Sequence, residues 1–301
     1  MELELEKQIR SREGRRESFF KLAEEVFDLS FREWYENGYW TDQYIPYALC
    51  DGDRVAANVA VNLMQLESRG QIRNYVQLGT VMTDPEYRGR GLSRRLMEEV
   101  FRDWDGRCNG MYLFANSDVL EFYPRFGFQP GEEYEWHLKL PEGKRNERGN
   151  GSFRRLDLKK TEDMEIFRRC LEKGNPYSAL QMRDNWGLVM FYCGGIFKDS
   201  IFYSEAYDMV CVGEKEETGF YCHELLGDGG ISLEQAVFAA APGGTKTVVL
   251  GFSPENRLGG AAEYGLDARC ILLESDVTLF FRGGEDLLAG KKLRLPELSH
   301  T

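Results

Sequence analysis

Hydrophobic positions in the middle of the N-terminal half predict a strand, a loop, a helix and a second strand, in that order. An apolar, β-rich run covers 75–83 and stops at Asp84-Pro85. The apolar residues after the loop have helical spacing. They predict an amphipathic helix with its apolar face formed by Leu92, Leu96, Met97, Val100, Phe101 and Trp104. After a turn at Asp105-Gly106, a second apolar strand is predicted at 111–115. This succession of elements organises the first half of the chain.

The flanking pattern predicts an antiparallel meander that leads into the first of these strands. Residues 6–30 are predicted to form a charged helix with an apolar end. Strands are predicted at 45–50, 54–66, 72–83 and 130–140, the last one containing Trp136 and His137.

The loop before the helix concentrates glycine and positive charge. Two arginines and two glycines alternate at 88–91, and Arg94 and Arg95 follow in the first helical turn. Glycine lets the backbone approach a ligand closely. The first turn of a helix has unpaired amide hydrogens that bind phosphate. The loop is therefore predicted to hold an anion, although the loop alone leaves open a capped helix start with solvated arginines.

Together with a second motif downstream, this loop resembles the acetyl-CoA loop of the GCN5-related N-acetyltransferases (GNAT). That family reads V-x-V-x-P-x-x-[RQ]-x-x-G-x-[GA], and here Val81-Met82-Thr83-Asp84-Pro85 precedes the loop, with Ser93 where many members have a final glycine or alanine. The downstream motif is Phe122-Tyr123-Pro124-Arg125-Phe126-Gly127-Phe128. Both motifs are similar to those of the enhanced intracellular survival (Eis) branch, and we expect this chain to lack the sterol-carrier-like domain of that branch. At motif level the resemblance covers residues 75–130.

The resemblance implies a fold and a cofactor site. The implied fold class is α+β (mixed α/β), with two tandem GNAT folds, each a mostly antiparallel mixed sheet flanked by helices. Acetyl-CoA would be held by Val81, Met82, Thr83, Arg88, Gly89, Arg90, Gly91, Leu92, Ser93, Arg94 and Asn116. The backbone of 81–83 would pair with the pantetheine amides, and an N–H there would polarise the thioester carbonyl.

Tyr123 matches the family position of the general acid that protonates the departing CoA thiolate. A phenol has an ordinary pKa of about 10 and is protonated at neutral pH, as this role requires. The alternative is a tyrosine that packs at the end of the sheet. Asn116-Ser117-Asp118 is predicted to cap the short helix that carries Tyr123.

Residues 31–47 are unusually aromatic, and Glu33, Glu36 and Asp42 lie among the rings. In the family that the motifs resemble, this segment forms one wall of the groove that binds the acceptor substrate. Rings and carboxylates there would suit an ammonium-bearing acceptor through cation–π contact and charge. The alternative is that the rings cover the edge of the core.

The second half of the chain resembles the first weakly and in the same order, as in a degenerate internal repeat. A polar, glycine-rich segment at 142–152 is the predicted linker between a catalytic domain (1–141) and a degenerate domain (153–301). In the degenerate domain a helix is predicted after Gly230, followed by strands at 247–253 and 268–274.

The copy lacks the features that would hold and use acetyl-CoA. Its loop at 226–230 carries Asp228 and no base, and Ala261 falls where Tyr123 would be. An acid in the loop would repel a pyrophosphate. We therefore expect the second copy not to bind acetyl-CoA.

The C-terminal stretch 293–301 has an apolar alternation that predicts an ordered tail. Two alternatives follow from it. The tail completes the second domain as a strand, or it reaches the groove of the first domain, where the Thr301 carboxylate or His300 would act as the catalytic base.

Composition excludes several classes of protein. The chain of 301 residues has a net charge of −12 and no basic tail, which argues against a nucleic-acid partner. Seven cysteines without a C-x-x-C pattern predict free thiols in a reducing cytosol, and three widely spaced histidines predict no metal site. Because no signal-like segment or long apolar run occurs, we expect a cytoplasmic protein without a membrane partner.

The sequence thus predicts an N-acetyltransferase that uses acetyl-CoA as cosubstrate and transfers the acetyl group directly to a primary amine of a small molecule or peptide. A non-catalytic regulatory protein that binds CoA or another ligand with the same fold is the alternative. The identity of the amine, the length of the acyl chain and the formation of a homo-oligomer are not determined by the sequence.

Overall fold

Two mixed sheets flanked by helices form the part of the protein that the computed structural model describes. The described residues are 3–141, 153–217, 219–255, 267–283 and 291–300, so the predicted linker at 142–152 and Ala261 lie outside them. The architecture confirms the predicted mixed α/β class.

The strands and helices have the following bounds. In chain order the strands are β1 (Glu4–Glu6), β2 (Tyr44–Asp51), β3 (Arg54–Ser68), β4 (Gln71–Thr83), β5 (Gly110–Asn116), β6 (Gln129–Pro130), β7 (Tyr134–Lys139), β8 (Arg154–Arg155), β9 (Gln181–Arg183), β10 (Ile201–Ser204), β11 (Met209–Lys215), β12 (Gly219–Gly227), β13 (Thr247–Leu250), β14 (Asp267–Leu272) and β15 (Val277–Arg282). The α-helices are α1 (Glu13–Phe27), α2 (Arg32–Glu36), α3 (Leu92–Trp104), α4 (Thr161–Lys173), α5 (Trp186–Phe191) and α6 (Leu233–Ala240). The predicted meander and the helix at 92–104 are therefore confirmed.

The two sheets repeat one arrangement. Over the described ranges, the first sheet has the order β1-β2-β3-β4-β5-β15-β6, with β9 also paired to β3, and the second has the order β14-β7-β13-β12-β11-β10-β8. Strands β4 and β5 run parallel with α3 between them in the chain, and β12 and β13 run parallel with α6 between them. This repeat is the second acyltransferase-like fold that the sequence predicts.

Two strands lie in the sheet of the other half, which corrects one expectation. We expected 130–140 to complete the first sheet, but β7 pairs with β13 and β14 of the second. In exchange, β15 pairs with β5 over six residues, from Val277 opposite Asn116 to Arg282 opposite Met111. A strand's alternation shows that one of its faces is apolar, but not which sheet buries that face. The division of the chain into domains at 142–152 stays a prediction.

The charged N-terminal segment also differs from the expectation. Its first residues form strand β1, which pairs with β2, and α1 begins only at Glu13. The helix ends at Asp28, which adopts the left-handed conformation (φ 54°) and donates its N–H to the Glu24 carbonyl.

Both faces of the first sheet are covered by helices. Helix α3 packs Leu96, Met97 and Val100 on one face, all at 0% exposure. Helices α1 and α2 cover the other face, with Phe19 and Trp34 in a separate cluster. Each such side chain contributes about 1.5–3 kcal/mol on burial, so the sheet holds the segments around the loop at 88–91 rigidly in place.

A buried carboxyl in the second sheet makes stability depend on pH. Burial raises the pKa of Glu224 from 4.5 to about 7, opposed by a hydrogen bond from the Asn175 amide. A carboxyl whose pKa is higher in the folded state contributes stability below its unfolded pKa, and this is lost as the pH rises through 7. The difference corresponds to about 3 kcal/mol. We therefore expect the free energy of unfolding of Glu224→Gln, relative to wild type, to rise between pH 5 and 8.

Urea unfolding at pH 5, 6 and 8 measures this effect. Glu98→Gln, which changes an exposed carboxylate on α3, is the matched control and is expected to show no such trend. Parallel pH profiles for wild type and Glu224→Gln would contradict the prediction.

Candidate active site

A gap opens in the first sheet where β4 and β5 part. The two strands pair only from Tyr75 opposite Gly110 to Leu78 opposite Leu113. Beyond Leu78, β4 is displaced by an irregularity in its register with β3, and Thr80 has a φ of +46°. In the described part of the chain no strand pairs with this side of Val81, Met82 and Thr83, so the outward backbone groups of this stretch, apart from the Thr83 carbonyl that accepts from Arg88, are available to a ligand.

The loop that follows is anchored at two buried side chains. The Asp84 carboxylate accepts a hydrogen bond from the Glu86 N–H at 2.9 Å and pairs with the Arg54 guanidinium at 2.7 Å. The Tyr87 hydroxyl donates to the Asp51 carboxylate at 2.7 Å. These contacts fix the strand end, so that the four residues after Tyr87 project from a rigid base.

Both glycines of the loop adopt conformations that other residues avoid. Gly89 has a φ of +76° and Gly91 of +72°, and a Cβ added at either would meet no atom within 4 Å. Glycine is thus needed for the backbone conformation and leaves open space beside it.

Gly91 is also the N-cap of α3. Among the described residues no side chain caps this helix end, and its first turn contains no acid. The amide hydrogens of the first turn are therefore free to bind an anion, as the sequence predicts.

The arginines around the loop have no carboxylate partner in the described part of the chain. Arg88 donates to the Thr83 carbonyl at 3.4 Å, Arg90 donates to the Glu86 carbonyl at 3.0 Å, and Arg94 lies 5.6 Å from the centre of the Phe126 ring. All three are exposed. Their charges remain available to phosphate, for which guanidinium groups are well suited.

Two of the predicted cofactor residues join the strand to the helix. The hydroxyls of Thr83 and Ser93 lie 2.9 Å apart and form a hydrogen bond. Leu92 packs against the core beneath α3. Serine at position 93 therefore has a structural use in this chain, where many members of the resembled family have glycine or alanine.

Tyr123 lies in an apolar setting beside this site. Only 5% of it is exposed, and its ring contacts Phe122, Phe128 and Phe280 with centroid distances of 5.1, 6.1 and 5.9 Å. Burial raises the pKa of Tyr123 to about 12. The Tyr123 hydroxyl makes no hydrogen bond within the described residues. Its proton is therefore not donated to another group of the described protein and is available to a substrate.

Asn116 does not act as the predicted helix cap. It is the exposed last residue of β5, and its side chain makes no capping bond to the turn that follows. The segment after it forms two 3₁₀ turns, Ser117–Val119 and Tyr123–Phe126, where we expected a helix. Pro124 removes an amide donor from the second turn, which favours the shorter form.

The C-terminal tail reaches the first sheet. The His300 ring lies 4.0 Å from that of Phe114 on β5, and the His300 carbonyl accepts a hydrogen bond from Tyr192 at 2.7 Å. Residues Glu297–Ser299 form a 3₁₀ turn, so the tail is not the strand that one alternative predicted. Thr301 lies outside the described residues, and its role and that of His300 stay predictions.

Most aromatic residues of 31–47 are core residues. Phe31, Trp34, Trp40 and Tyr44 are at most 7% exposed and belong to one cluster. Some of them also line a cavity of about 220 Å³ that lies between the two halves of the chain.

The carboxylates of the same segment do not line that cavity. Glu33 and Glu36 are exposed, and Asp42 pairs with Arg10 at 2.6 Å. Among the described residues that line the cavity, none carries a charge. This cavity therefore does not combine the rings with the carboxylates, whereas Glu33 lines an adjoining cavity together with Trp34 and Tyr39.

Residues from the second half complete this cavity, and the sequence analysis did not find them. The Asn185 amide donates to the Asn62 side chain at 3.1 Å and accepts from the Leu188 N–H at 3.1 Å, which caps α5. Tyr44 and Thr80 share a hydrogen bond of 2.6 Å. The sequence signals that could have indicated this contact are Asn62 within an apolar strand and Asn185 before an apolar helix. These two asparagines are 123 positions apart.

The equivalent loop of the second half contacts the end of α4 and the residues that follow it. Asp228 pairs with Lys173 at 2.5 Å, and a Cβ added at Gly229 would lie 2.6 Å from Pro176. The tail follows the end of β13, where the Glu297 N–H donates to the Gly251 carbonyl at 3.0 Å. That the second copy does not hold acetyl-CoA stays a prediction.

Metal ligands and membrane helices were sought over the same described ranges. There, no three His, Cys, Asp or Glu side chains lie close enough together to hold a metal ion. No helix in those ranges is long and apolar enough to cross a membrane.

Comparisons with known proteins concern the family and the fold. The family model of the acetyltransferase (GNAT) domain matches residues 9–131. The chain is 43% identical over 54 residues to GCN5-related N-acetyltransferase 2, chloroplastic, of Arabidopsis thaliana, which is 18% of this chain and 21% of that protein. It is equally identical over 54 residues to histone acetyltransferase TAP1 of Glycine max, covering 23% of that protein. The match thus spans about a fifth of the length of these curated relatives.

Solved structures extend the likeness to the whole fold. A probable N-acyltransferase of unknown function from Enterococcus faecalis V583 has a TM-score of 0.61 at 16% identity, over 94% of this chain and 72% of that one. Eis1 from Mycobacterium abscessus has a TM-score of 0.54 at 14% identity, over 92% and 73%. At such identities the likeness concerns the fold.

The family model and the solved structures indicate the same class of fold. Residues 9–131 match the model of the acetyltransferase (GNAT) domain, and the chain has the mixed α/β architecture of two GNAT folds.

Proposed function

We propose that the protein is an acetyl-CoA-dependent N-acetyltransferase that transfers an acetyl group directly to the primary amine of a small molecule or peptide. The observation that carries the proposal is the gap between β4 and β5 beside the uncapped start of α3. A single extended cosubstrate can place its pyrophosphate at a helix start and its amide-bearing arm along an unpaired strand edge.

Each part of the site has a role in this proposal. The amides at the start of α3, with Gly89 and Gly91, bind the pyrophosphate, and the arginines of the loop neutralise it. The backbone of Val81–Thr83 binds the arm, and an N–H of this stretch stabilises the charge that develops on the thioester oxygen.

Tyr123 supplies the proton that the reaction requires. As the neutral amine attacks, a C–N bond forms and the C–S bond breaks, and Tyr123 donates its proton to the sulfur. His300 or Thr301 is the proposed acceptor of the proton that the amine loses.

The test measures acetyl-CoA consumption as free thiol, with polyamines, aminoglycosides, amino acids, peptides and simple monoamines as acceptors. The expected result is amine-dependent thiol release, with an acetylated amine identified by mass spectrometry. Binding of acetyl-CoA without turnover on any amine would favour the non-catalytic alternative. A failure to bind acetyl-CoA by calorimetry would overturn the assignment of the loop.

A further inference from the structure

We propose that the cavity of about 220 Å³ between the two halves is the acceptor pocket, and that it selects amines carried on a compact apolar group over polycationic amines. This inference rests on the proposed function and adds the class of acceptor to it. It is drawn from the cavity wall alone and differs from the ammonium-binding site that the sequence predicts.

The cavity adjoins the proposed reaction site through one residue. Thr80 belongs to the irregular part of β4, just after the point where β4 and β5 part, and it also lines the cavity. Its hydroxyl is held by Tyr44 at 2.6 Å. An acceptor seated in the cavity is therefore next to the strand that we propose holds the acetyl-bearing arm.

The described wall of the cavity is uncharged and mostly apolar. It includes the rings of Phe31, Trp34 and Phe191 and the aliphatic side chains of Leu29, Leu188 and Ile196. A second ammonium group would lose its hydration there without gaining a counter-charge, which is strongly unfavourable.

Several polar groups of the wall are already satisfied by the protein. The Asn185 amide bonds to Asn62 and to the Leu188 N–H, and the Tyr192 hydroxyl donates to the His300 carbonyl. Their hydrogen-bonding capacity is partly used, so the wall offers few partners for a highly polar acceptor. The Trp34 indole is likewise satisfied by another residue of the wall, because it donates to the Gly187 carbonyl at 2.7 Å.

The same wall favours the reactive form of a monoamine. Apolar surroundings lower the pKa of an ammonium group and so increase the fraction of neutral, nucleophilic amine. A carboxylate in the pocket would have the opposite effect, and Glu33, Glu36 and Asp42 lie outside it. The pocket thus prepares an amine for attack by desolvation.

The volume sets the size of the acceptor group. A cavity of about 150 Å³ lined by apolar side chains holds benzene. At about 220 Å³ this cavity accommodates a single aromatic ring with a short amine-bearing arm, or a branched alkyl group of similar size.

The test compares matched acceptors with and without a second charge. We expect kcat/KM for phenethylamine and pentylamine to exceed that for 1,5-diaminopentane more than about tenfold, because only the diamine brings a second ammonium into the pocket. Equal or better use of the diamine would overturn the inference.

A variant at the edge of the cavity tests the cause of this selectivity. Ile196 lines the cavity and is 56% exposed, so a polar residue is tolerated there without loss of the core. Ile196→Asp is expected to raise kcat/KM for the diamine relative to kcat/KM for the monoamines by about fivefold, compared with Ile196→Asn. Asparagine has nearly the same shape as aspartate but carries no charge. No difference between the two variants would place the acceptor elsewhere.

A binding measurement separates this inference from the proposed function. Phenethylamine at millimolar concentration is expected to raise the Tm of the full chain more than 1,5-diaminopentane does, whether or not thiol is released. Stabilisation by phenethylamine without turnover on any amine would end the proposed function and leave the apolar pocket standing. Thiol release with amines, combined with stabilisation and selectivity that favour the diamine, would support the proposed function and end the inference about the apolar pocket.

Discussion

Replacing Tyr123 with phenylalanine is expected to reduce kcat by about 100- to 1,000-fold while KM for acetyl-CoA changes little. The ring packs among Phe122, Phe128 and Phe280, and the substitution keeps that packing because it removes only the hydroxyl. What is lost is the proton donor to the thiolate. Thiol release at saturating acetyl-CoA, with any amine that the wild type uses, measures the effect.

The pH dependence gives a second, independent measurement of the same role. Because burial raises the pKa of Tyr123 to about 12, the phenol stays protonated well above neutral pH. The wild-type kcat should therefore rise or stay level between pH 7 and 10 as the amine loses its proton. Deprotonation of the general acid would instead lower kcat, and we expect no such decrease in this range.

Tyr134→Phe is the matched control for the loss of a hydroxyl. Tyr134 lies on β7, where its hydroxyl donates to Glu132 at 2.9 Å, and its replacement should leave kcat within about twofold of wild type. If Tyr123→Phe matched this control, the phenol would have no part in proton transfer and Tyr123 would be a packing residue.

The second large effect is expected at the loop arginines. The double variant Arg88→Ala, Arg94→Ala removes two guanidinium groups that have no carboxylate partner in the described part of the chain. A hydrogen bond to a charged group contributes about 1.5–3 kcal/mol, so losing two should raise KM for acetyl-CoA about 100-fold or more. Because these contacts are far from the reacting atoms, kcat at saturation should stay near the wild-type value.

Arg102→Ala is the control for this pair. Arg102 lies in the last turn of the same helix and pairs with Glu99 at 2.6 Å, so its loss changes net charge without touching the loop. Steady-state kinetics with a Tm measurement for each variant distinguish weak binding from partial unfolding. A rise in KM no larger than that of Arg102→Ala would mean that the loop does not bind the phosphates.

Much of the first half could be predicted because its signals are local. The spacing of Leu92, Leu96 and Val100 places α3 from the sequence alone, since a helix reads as a 3.6-residue period. The glycines at 89 and 91 likewise marked the loop as a place where the backbone can approach a ligand, and both have positive φ angles in the structure. The identity of Tyr123 as a candidate came from its motif, and its catalytic role stays a prediction.

Features that depend on which segments meet could not be predicted in the same way. Strand β7 was expected in the first sheet and lies in the second, because its alternation is compatible with burial against either. The cavity wall depends on Asn62 and Asn185 meeting across the two halves. No local pattern encodes such a contact.

The sequence by itself therefore predicted the order of the elements around the loop at 88–91, that loop as a candidate anion site and Tyr123 as a candidate acid, because each is carried by a few neighbouring residues with a fixed period or motif. Only the tertiary structure decided that β7 and β15 exchange sheets, that the aromatic residues of 31–47 turn inward while their carboxylates face solvent, and that an uncharged cavity forms beside Thr80. The physical reason is that burial of an apolar face is favourable against any suitable surface. The choice among such surfaces is made by the packing of the whole chain.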